Sequence, residues 1–106
     1  LAGWSAEIIA ARGHALGGAG RAAEAETALA ELAGRRGWVS PVLSATVLVG
    51  LGRHDDALDA LQKAATARAA DLIWIGVRPA FDPLRAERRF VRLLEQMGLA
   101  ARREVL

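Results

Sequence analysis

Two short segments of this chain share one pattern, and they decide its fold. Residues 20–25 read GRAAEA and residues 52–57 read GRHDDA, so both follow the pattern Gly-Arg-x-x-acid-Ala. The second segment begins 32 residues after the first. In both copies a leucine follows the alanine after four residues, at Leu29 and Leu61. A repeat of this length indicates one supersecondary unit used twice, with each unit packing against its neighbour.

Apolar residues on both sides of the two segments recur at helical spacing. Before each segment lies an apolar stretch, and after each lies an amphipathic one. Glycines predict the helix ends, with Gly17, Gly18 and Gly20 closing the first helix and Gly50 and Gly52 the third. We expect four helices, at residues 6–16, 21–35, 41–51 and from about 55 to 70.

The third predicted helix has almost no polar face. Seven of its side chains are Val, Leu or Ala between residues 42 and 51, so we expect it in the middle of the stack. Ser40 and Pro41 predict its start, as a capping residue followed by proline in the first turn. Asp55 and Asp56 favour a helix start because negative charge complements the helix dipole.

After the second repeat the pattern is less regular. A short apolar connector is expected at residues 72–82, where Arg78-Pro79 interrupts the helical pattern. Asp82 and Pro83 then predict the start of a last helix over residues 83–98, ended by Gly98. Its apolar stripe, which would cap the stack, consists of Phe90, Leu93, Leu94 and Met97. Residues 99–106 form a tail.

Composition supports helices and leaves little catalytic equipment. The 106 residues include 24 alanines, and alanine has the highest helix propensity. They include two histidines, no cysteine and a net charge of only +2, so no disulfide scaffold is possible. We expect a single domain over residues 1–106, no catalysis, no cofactor and a cytoplasmic location, because no membrane span or signal peptide is visible. Leu1 in place of a starting methionine suggests a segment of a longer polypeptide.

Four features admit a chemical interpretation, and a plainer one is favoured for each. Residues 18–23 fit GxGxxA, but a helix precedes them where a dinucleotide site needs a strand. His54 stands beside Asp55 without the further ligands that a metal needs, and Ser5 has no histidine at local spacing. The C-terminal arginines are interleaved with glutamates, which favours a solvated face over a nucleic-acid surface. Trp4, Trp38 and Trp74 are expected to pack at helix starts or turns, and a tryptophan exposed by truncation at the N-terminus is the alternative, as a partner contact.

The repeat resembles the tetratricopeptide family, whose helix-turn-helix unit has a period near 34 residues. The family's small first-helix residue matches Gly13 and Ala45, and its turn glycine matches Gly20 and Gly52. Its second-helix alanine matches Ala25 and Ala57. The resemblance implies an α-α superhelix, with repeat 1 at about 6–37 and repeat 2 at about 38–71. An upstream repeat would pack on the helix that contains Ile8 and Ile9.

Residues 79–99 are similar to the end of tetratricopeptide regions in bacterial multidomain signalling proteins. Ala86-Glu87-Arg88 stands where that ending often has Ser-Asp-Pro, so the last helix is expected to run unbroken from Pro83. The resemblance implies a protein-interaction or scaffolding module that binds a protein or peptide. It also leaves open a sensory or autoinhibitory tail that acts on a cyclase, kinase or DNA-binding domain of the same chain.

In the family the first helices line a concave groove. Carried onto this sequence, the resemblance implies a groove that favours an apolar or helical peptide. Its lining residues would be Glu7, Ala10, His14, Val42, Thr46 and Val49.

Overall fold

The structure is a computed structural model that describes residues 5–69, 72, 75 and 78–97. These residues form helices, with no strand among them, which confirms the all-α class. Trp4, Trp74, Gly98 and the predicted tail lie outside the described residues, as does part of the connector. The elements are α1 (Ala6–Gly18), α2 (Ala22–Gly34), α3 (Pro41–Gly50), α4 (His54–Thr66), a 3-10 helix (Pro79–Leu84) and α5 (Arg88–Gln96).

Short polar side chains begin the first helix of each pair. The Ser5 hydroxyl accepts a hydrogen bond from the Ile8 amide at 3.2 Å and so caps α1. The Ser40 hydroxyl accepts one from the Val42 amide, also at 3.2 Å, and Pro41 occupies the first turn of α3. The predicted capping role of Ser40 is confirmed, whereas that of Ser5 was not foreseen.

The two glycine turns of the repeat have the same geometry. Gly20 and Gly52 adopt φ values of +82° and +78°, which are left-handed. After them the amides of Arg21 and Arg53 donate to carbonyls five residues back, both at 2.9 Å. This is the Schellman pattern of helix termination. The repeated sequence pattern therefore corresponds to a repeated backbone turn.

A third turn of this kind ends α4. Arg68, with φ 55°, occupies the left-handed position, and the Ala69 amide donates to the Ala64 carbonyl at 2.9 Å. The helix ends at Thr66, earlier than the predicted residue 70. The sequence has no glycine here, so the end of α4 could not be predicted from a glycine.

Helices α1 and α3 cross at glycines, and this corrects the predicted end of α1. The helix continues through Gly17 to Gly18, and Gly20 provides the left-handed turn. A Cβ on Gly17 would lie 2.6 Å from the Gly50 carbonyl carbon, and one on Gly50 would lie 2.6 Å from the His14 carbonyl oxygen. Both glycines therefore lie inside their helices and allow the backbones of α1 and α3 to pack closely.

Helices α1 and α2 form the first hairpin, and α3 and α4 form the second. The first hairpin packs on α3 at Gly13. A Cβ there would lie 2.9 Å from both the Ala28 Cβ and the Val47 Cγ2. Contacts join α1 with α2 and α3, α2 with α3, and α3 with α4 and the 3-10 helix. Every residue of α3 from 45 to 49 is buried, as predicted for the central helix.

The core forms two clusters that α3 joins. Leu43 and Val47 belong to the cluster made with α1 and α2. Val42 and Val49 belong to the larger cluster, which includes α4, the 3-10 helix and α5. The second cluster is closed by Phe81 and Phe90, both fully buried, whose ring centroids lie 6.4 Å apart.

The predicted unbroken helix from Pro83 is wrong. A 3-10 helix ends at Leu84, and α5 begins only at Arg88 with Glu87 in extended conformation before it. Leu84 and Leu93 are both buried in the same cluster. Nine residues apart, they would project from opposite faces of a continuous helix, so the chain must break between them.

Candidate functional site

The structure buries most of the residues that were predicted to line a groove. Val42 is fully buried, and Ala10, Thr46 and Val49 are at most 9% exposed. The Thr46 hydroxyl donates to the carbonyl of Val42 in its own helix at 2.9 Å. These four side chains therefore belong to the interior. The three on α3 are buried because α3 is covered on one side by the first hairpin and on the other by α4 and the 3-10 helix. Ala10, on α1, is buried in the core cluster that α1 forms with α2 and α3.

The other two predicted groove residues lie on α1. Glu7 is exposed near the start of the helix, and His14 is half-buried. The backbone of His14 forms the close crossing with Gly50 described above. The six residues thus do not form one accessible surface.

Three large apolar side chains are exposed among the described residues. Trp38 is 68% exposed, Ile8 54% and Val91 38%. The expectation that Trp38 packs at a turn is therefore wrong. Ile9, the neighbour of Ile8, is 4% exposed and lies in the core.

Trp38 borders a cleft at the junction of the two repeats. The cleft has a volume of about 360 Å³ and lies between the end of α2, the loop that leads to α3, and the middle of α4. Leu32 and Ala60 are buried at its base, while Arg35 and Lys63 are exposed at its edge. Composition alone gave no reason to group these residues, because they come from three separate elements.

The two arginines of the repeated pattern form ion pairs at their turns. Arg21 pairs with Glu24, and Arg53 pairs with Asp56 at 2.8 Å, three residues on in each case. Arg53 also reaches the first repeat, where it pairs with Glu26 at 2.9 Å. Hydrogen bonding to Asp56, together with the Glu26 carboxylate, raises the pKa of Arg53 above its usual value.

Charged pairs also connect the C-terminal elements. Arg89 on α5 donates to Asp59 on α4 at 2.7 Å, and Arg85 donates to Asp82 at 2.6 Å. His54 Nδ1 lies 3.9 Å from a Glu87 carboxylate oxygen. Carboxylates thus accompany Arg85 and Arg89, and both are aspartates that lie outside the glutamates interleaved with the C-terminal arginines. Arg102 and Arg103 lie outside the described residues.

The motifs that suggested catalysis or ligand binding have structural roles. The amide of Gly20 in the GxGxxA segment donates to the Gly17 carbonyl at 3.1 Å within the turn. Across the described part of the chain, no three His, Cys, Asp or Glu side chains group as metal ligands. No described helix has the length and apolar character needed to cross a membrane.

The outer face of α1 is related by the repeat to a buried face of α3. Three exposed residues of α1, and Arg21 in the turn after it, correspond 32 residues later to positions that contact the preceding hairpin. Leu43 and Val47 are buried in that contact, Gly50 meets the backbone of α1, and Arg53 pairs with α2. The four corresponding pairs are Ala11 and Leu43, Ala15 and Val47, Gly18 and Gly50, and Arg21 and Arg53.

Comparisons of this chain with models of protein families, with curated proteins and with solved structures found no match.

Proposed function

We propose that this chain is a non-catalytic protein-interaction or scaffolding module of the tetratricopeptide type. It would form the C-terminal repeat region of a larger bacterial signalling or regulatory protein. The two hairpins with equivalent turns support this assignment, because stacking of such units builds an extended surface for partners. The C-terminal elements would act as the cap, with Phe81 and Phe90 closing the core.

The observation that carries the proposal is the outer face of α1. Ala11, Ala15 and Gly18 are small and exposed, and their equivalents in α3 receive the hairpin before it. A face shaped in this way accepts another helical element at close range. A Cβ on Gly18 would meet no atom within 4 Å, whereas the same position at Gly50 is filled by the α1 backbone.

The outer face of α4 provides a contrast within the same chain. Its exposed positions are polar or charged, and they include Asp55, Asp59, Gln62 and Lys63. Such a face is stable in water without a covering element. The two faces therefore predict opposite behaviour toward another helix, which we expect to pack on α1 and not on α4.

Site-specific photo-cross-linking in the bacterium that naturally makes this protein tests the proposal. A photoreactive amino acid is placed at Ala15 on α1 and, as a matched control, at Gln62 on α4, both exposed helical positions. We expect cross-links from residue 15 to a helical segment, identified by mass spectrometry, and few from residue 62. Yields that are equal at the two positions would contradict the proposal.

The same experiment separates the alternative function. A cross-link from residue 15 into a cyclase, kinase or DNA-binding domain of the same polypeptide would support a sensory or autoinhibitory tail. Cross-links to a second polypeptide, resolved by a denaturing gel, would support scaffolding.

A further inference from the structure

The chain conformation before α3 holds Trp38 out of the core. Gly37 has φ +79°, so the backbone reverses immediately before the tryptophan, and Ser40 begins α3 two residues later. Trp38 is consequently the most exposed large apolar side chain of the described residues. Tryptophan contributes strongly to binding when a partner covers it, because it removes a large area from water with few rotatable bonds.

The base of the cleft beside Trp38 is formed by buried apolar side chains. Leu32 is 2% exposed and Ala60 8%, and both belong to packed helices. Val39 and Pro41 complete the wall next to the tryptophan. A volume of about 360 Å³ is large enough for one or two side chains of a partner. The cleft therefore fits a segment of extended chain that inserts an apolar side chain.

Charge around the cleft is predominantly positive. Arg35 and Lys63 lie at its edge, and Arg36, the residue after Arg35, is exposed. Asp59, one turn before Lys63, is engaged by Arg89 at 2.7 Å. Both charged residues that line the cleft are cations, and none of its described lining residues is a carboxylate. Such a field attracts a negatively charged segment.

We propose that this cleft binds an extended acidic peptide that carries an apolar residue, with Trp38 as the anchor and Lys63 as a charge contact. The inference rests on the proposed interaction function and specifies the partner chemistry. A nucleic acid fits less well, because Trp38 is the one exposed aromatic ring in the described part of the chain and cannot form a series of stacking platforms.

Titration with defined peptides tests this proposal on the intact chain. The probe is a fluorescein-labelled peptide of four aspartate-leucine-proline repeats, in which proline keeps the chain extended. Two control peptides replace every aspartate by lysine or every leucine by serine. Anisotropy gives the affinity, and the indole and amide NMR signals of Trp38, Ser44 and Lys63 locate the site. We expect the acidic apolar peptide to bind at least about tenfold more tightly than either control.

Variants of the chain then assign the contacts. We expect Trp38→Ala to weaken binding about tenfold or more and Lys63→Gln to weaken it about threefold. Arg92→Gln, which removes the same charge from the exposed face of α5, should leave affinity unchanged within about twofold. Unfolding in urea verifies that each variant is folded. If Trp38→Ala does not fold, Lys63→Gln tests the proposal in its place.

Several outcomes would overturn the inference. These are equal binding of the acidic and basic peptides, NMR shifts that map to α1 or α5, or no binding at about 1 mM peptide. Tighter binding of a single-stranded oligonucleotide that displaces the peptide from Trp38 would also reject it. None of these outcomes affects cross-linking at residue 15, so failure here is distinguishable from failure of the proposed function.

Discussion

Alanine at Gly50 tests whether the crossing of α1 and α3 controls stability. The added Cβ would lie 2.6 Å from the His14 carbonyl oxygen and 2.9 Å from its Cα. Both are backbone atoms, so no side-chain rotation can relieve the overlap. Since ordinary contact begins at 3.4 Å, the helices must separate by about 0.8 Å.

The expected energy of this change is the balance of two effects. Overpacking of a well-packed contact costs about 1–3 kcal/mol. The added Cβ overlaps backbone atoms that cannot rotate away, so we expect a cost near the upper end of this range. Alanine recovers up to about 1 kcal/mol of helix propensity relative to glycine. We therefore expect Gly50→Ala to lower the free energy of unfolding by about 2 kcal/mol and the melting temperature by roughly 8–16 °C.

Gly18→Ala is the matched control, because Gly18 occupies the same repeat position with nothing within 4 Å of its Cβ. We expect it to raise the free energy of unfolding by about 0.5–1 kcal/mol. Urea unfolding followed by circular dichroism measures both variants. If Gly50→Ala were as stable as the parent chain, or if both variants shifted in the same direction, the close crossing would not be the feature that requires glycine.

Further substitutions examine the turns, the caps and the C-terminal core by the same urea assay. Arg68→Gly is expected to raise the free energy of unfolding by about 0.5–1 kcal/mol, because Arg68 adopts a left-handed conformation that glycine adopts without strain; a loss would contradict this. Phe90→Ala should lower it by about 3–5 kcal/mol by opening a cavity beside Phe81, and a loss below 1 would refute that packing. Ser40→Ala removes the cap of α3 and should cost about 1 kcal/mol, whereas Ser44→Ala on the same helix serves as the control.

Local sequence signals predicted the helices and the repeated turns well. The left-handed turns depend on Gly20 and Gly52, and the start of α3 depends on Ser40 and Pro41, so neighbouring residues contain the necessary information. The central position of α3 followed from its composition, because a helix without a polar face must be covered.

Features that depend on distant residues were not predictable in this way. Sequence alone does not distinguish Gly17, which permits helix packing, from Gly20, which ends the helix. The pairing of Arg53 with Glu26 joins residues 27 apart. The break before α5 arises because Leu84 and Leu93 share one core.

The candidate site was the least predictable part. The family resemblance implies that Val42 and Val49 line a groove, but it cannot show that α4 and the 3-10 helix cover that face of α3. As a large aromatic side chain, Trp38 is expected from the sequence to pack at a turn. Its exposure follows from the turn at Gly37 and from the path of the following loop.

The burial of α3 on both sides has a consequence for how the chain unfolds. Repeat proteins can lose single units when each unit has its own contacts. Here Val47 belongs to one core cluster and Val49 to the other, so neither hairpin keeps its core if α3 melts. We expect the folded chain to open as one cooperative unit, with the amides of α3 exchanging with solvent hydrogen only through global unfolding.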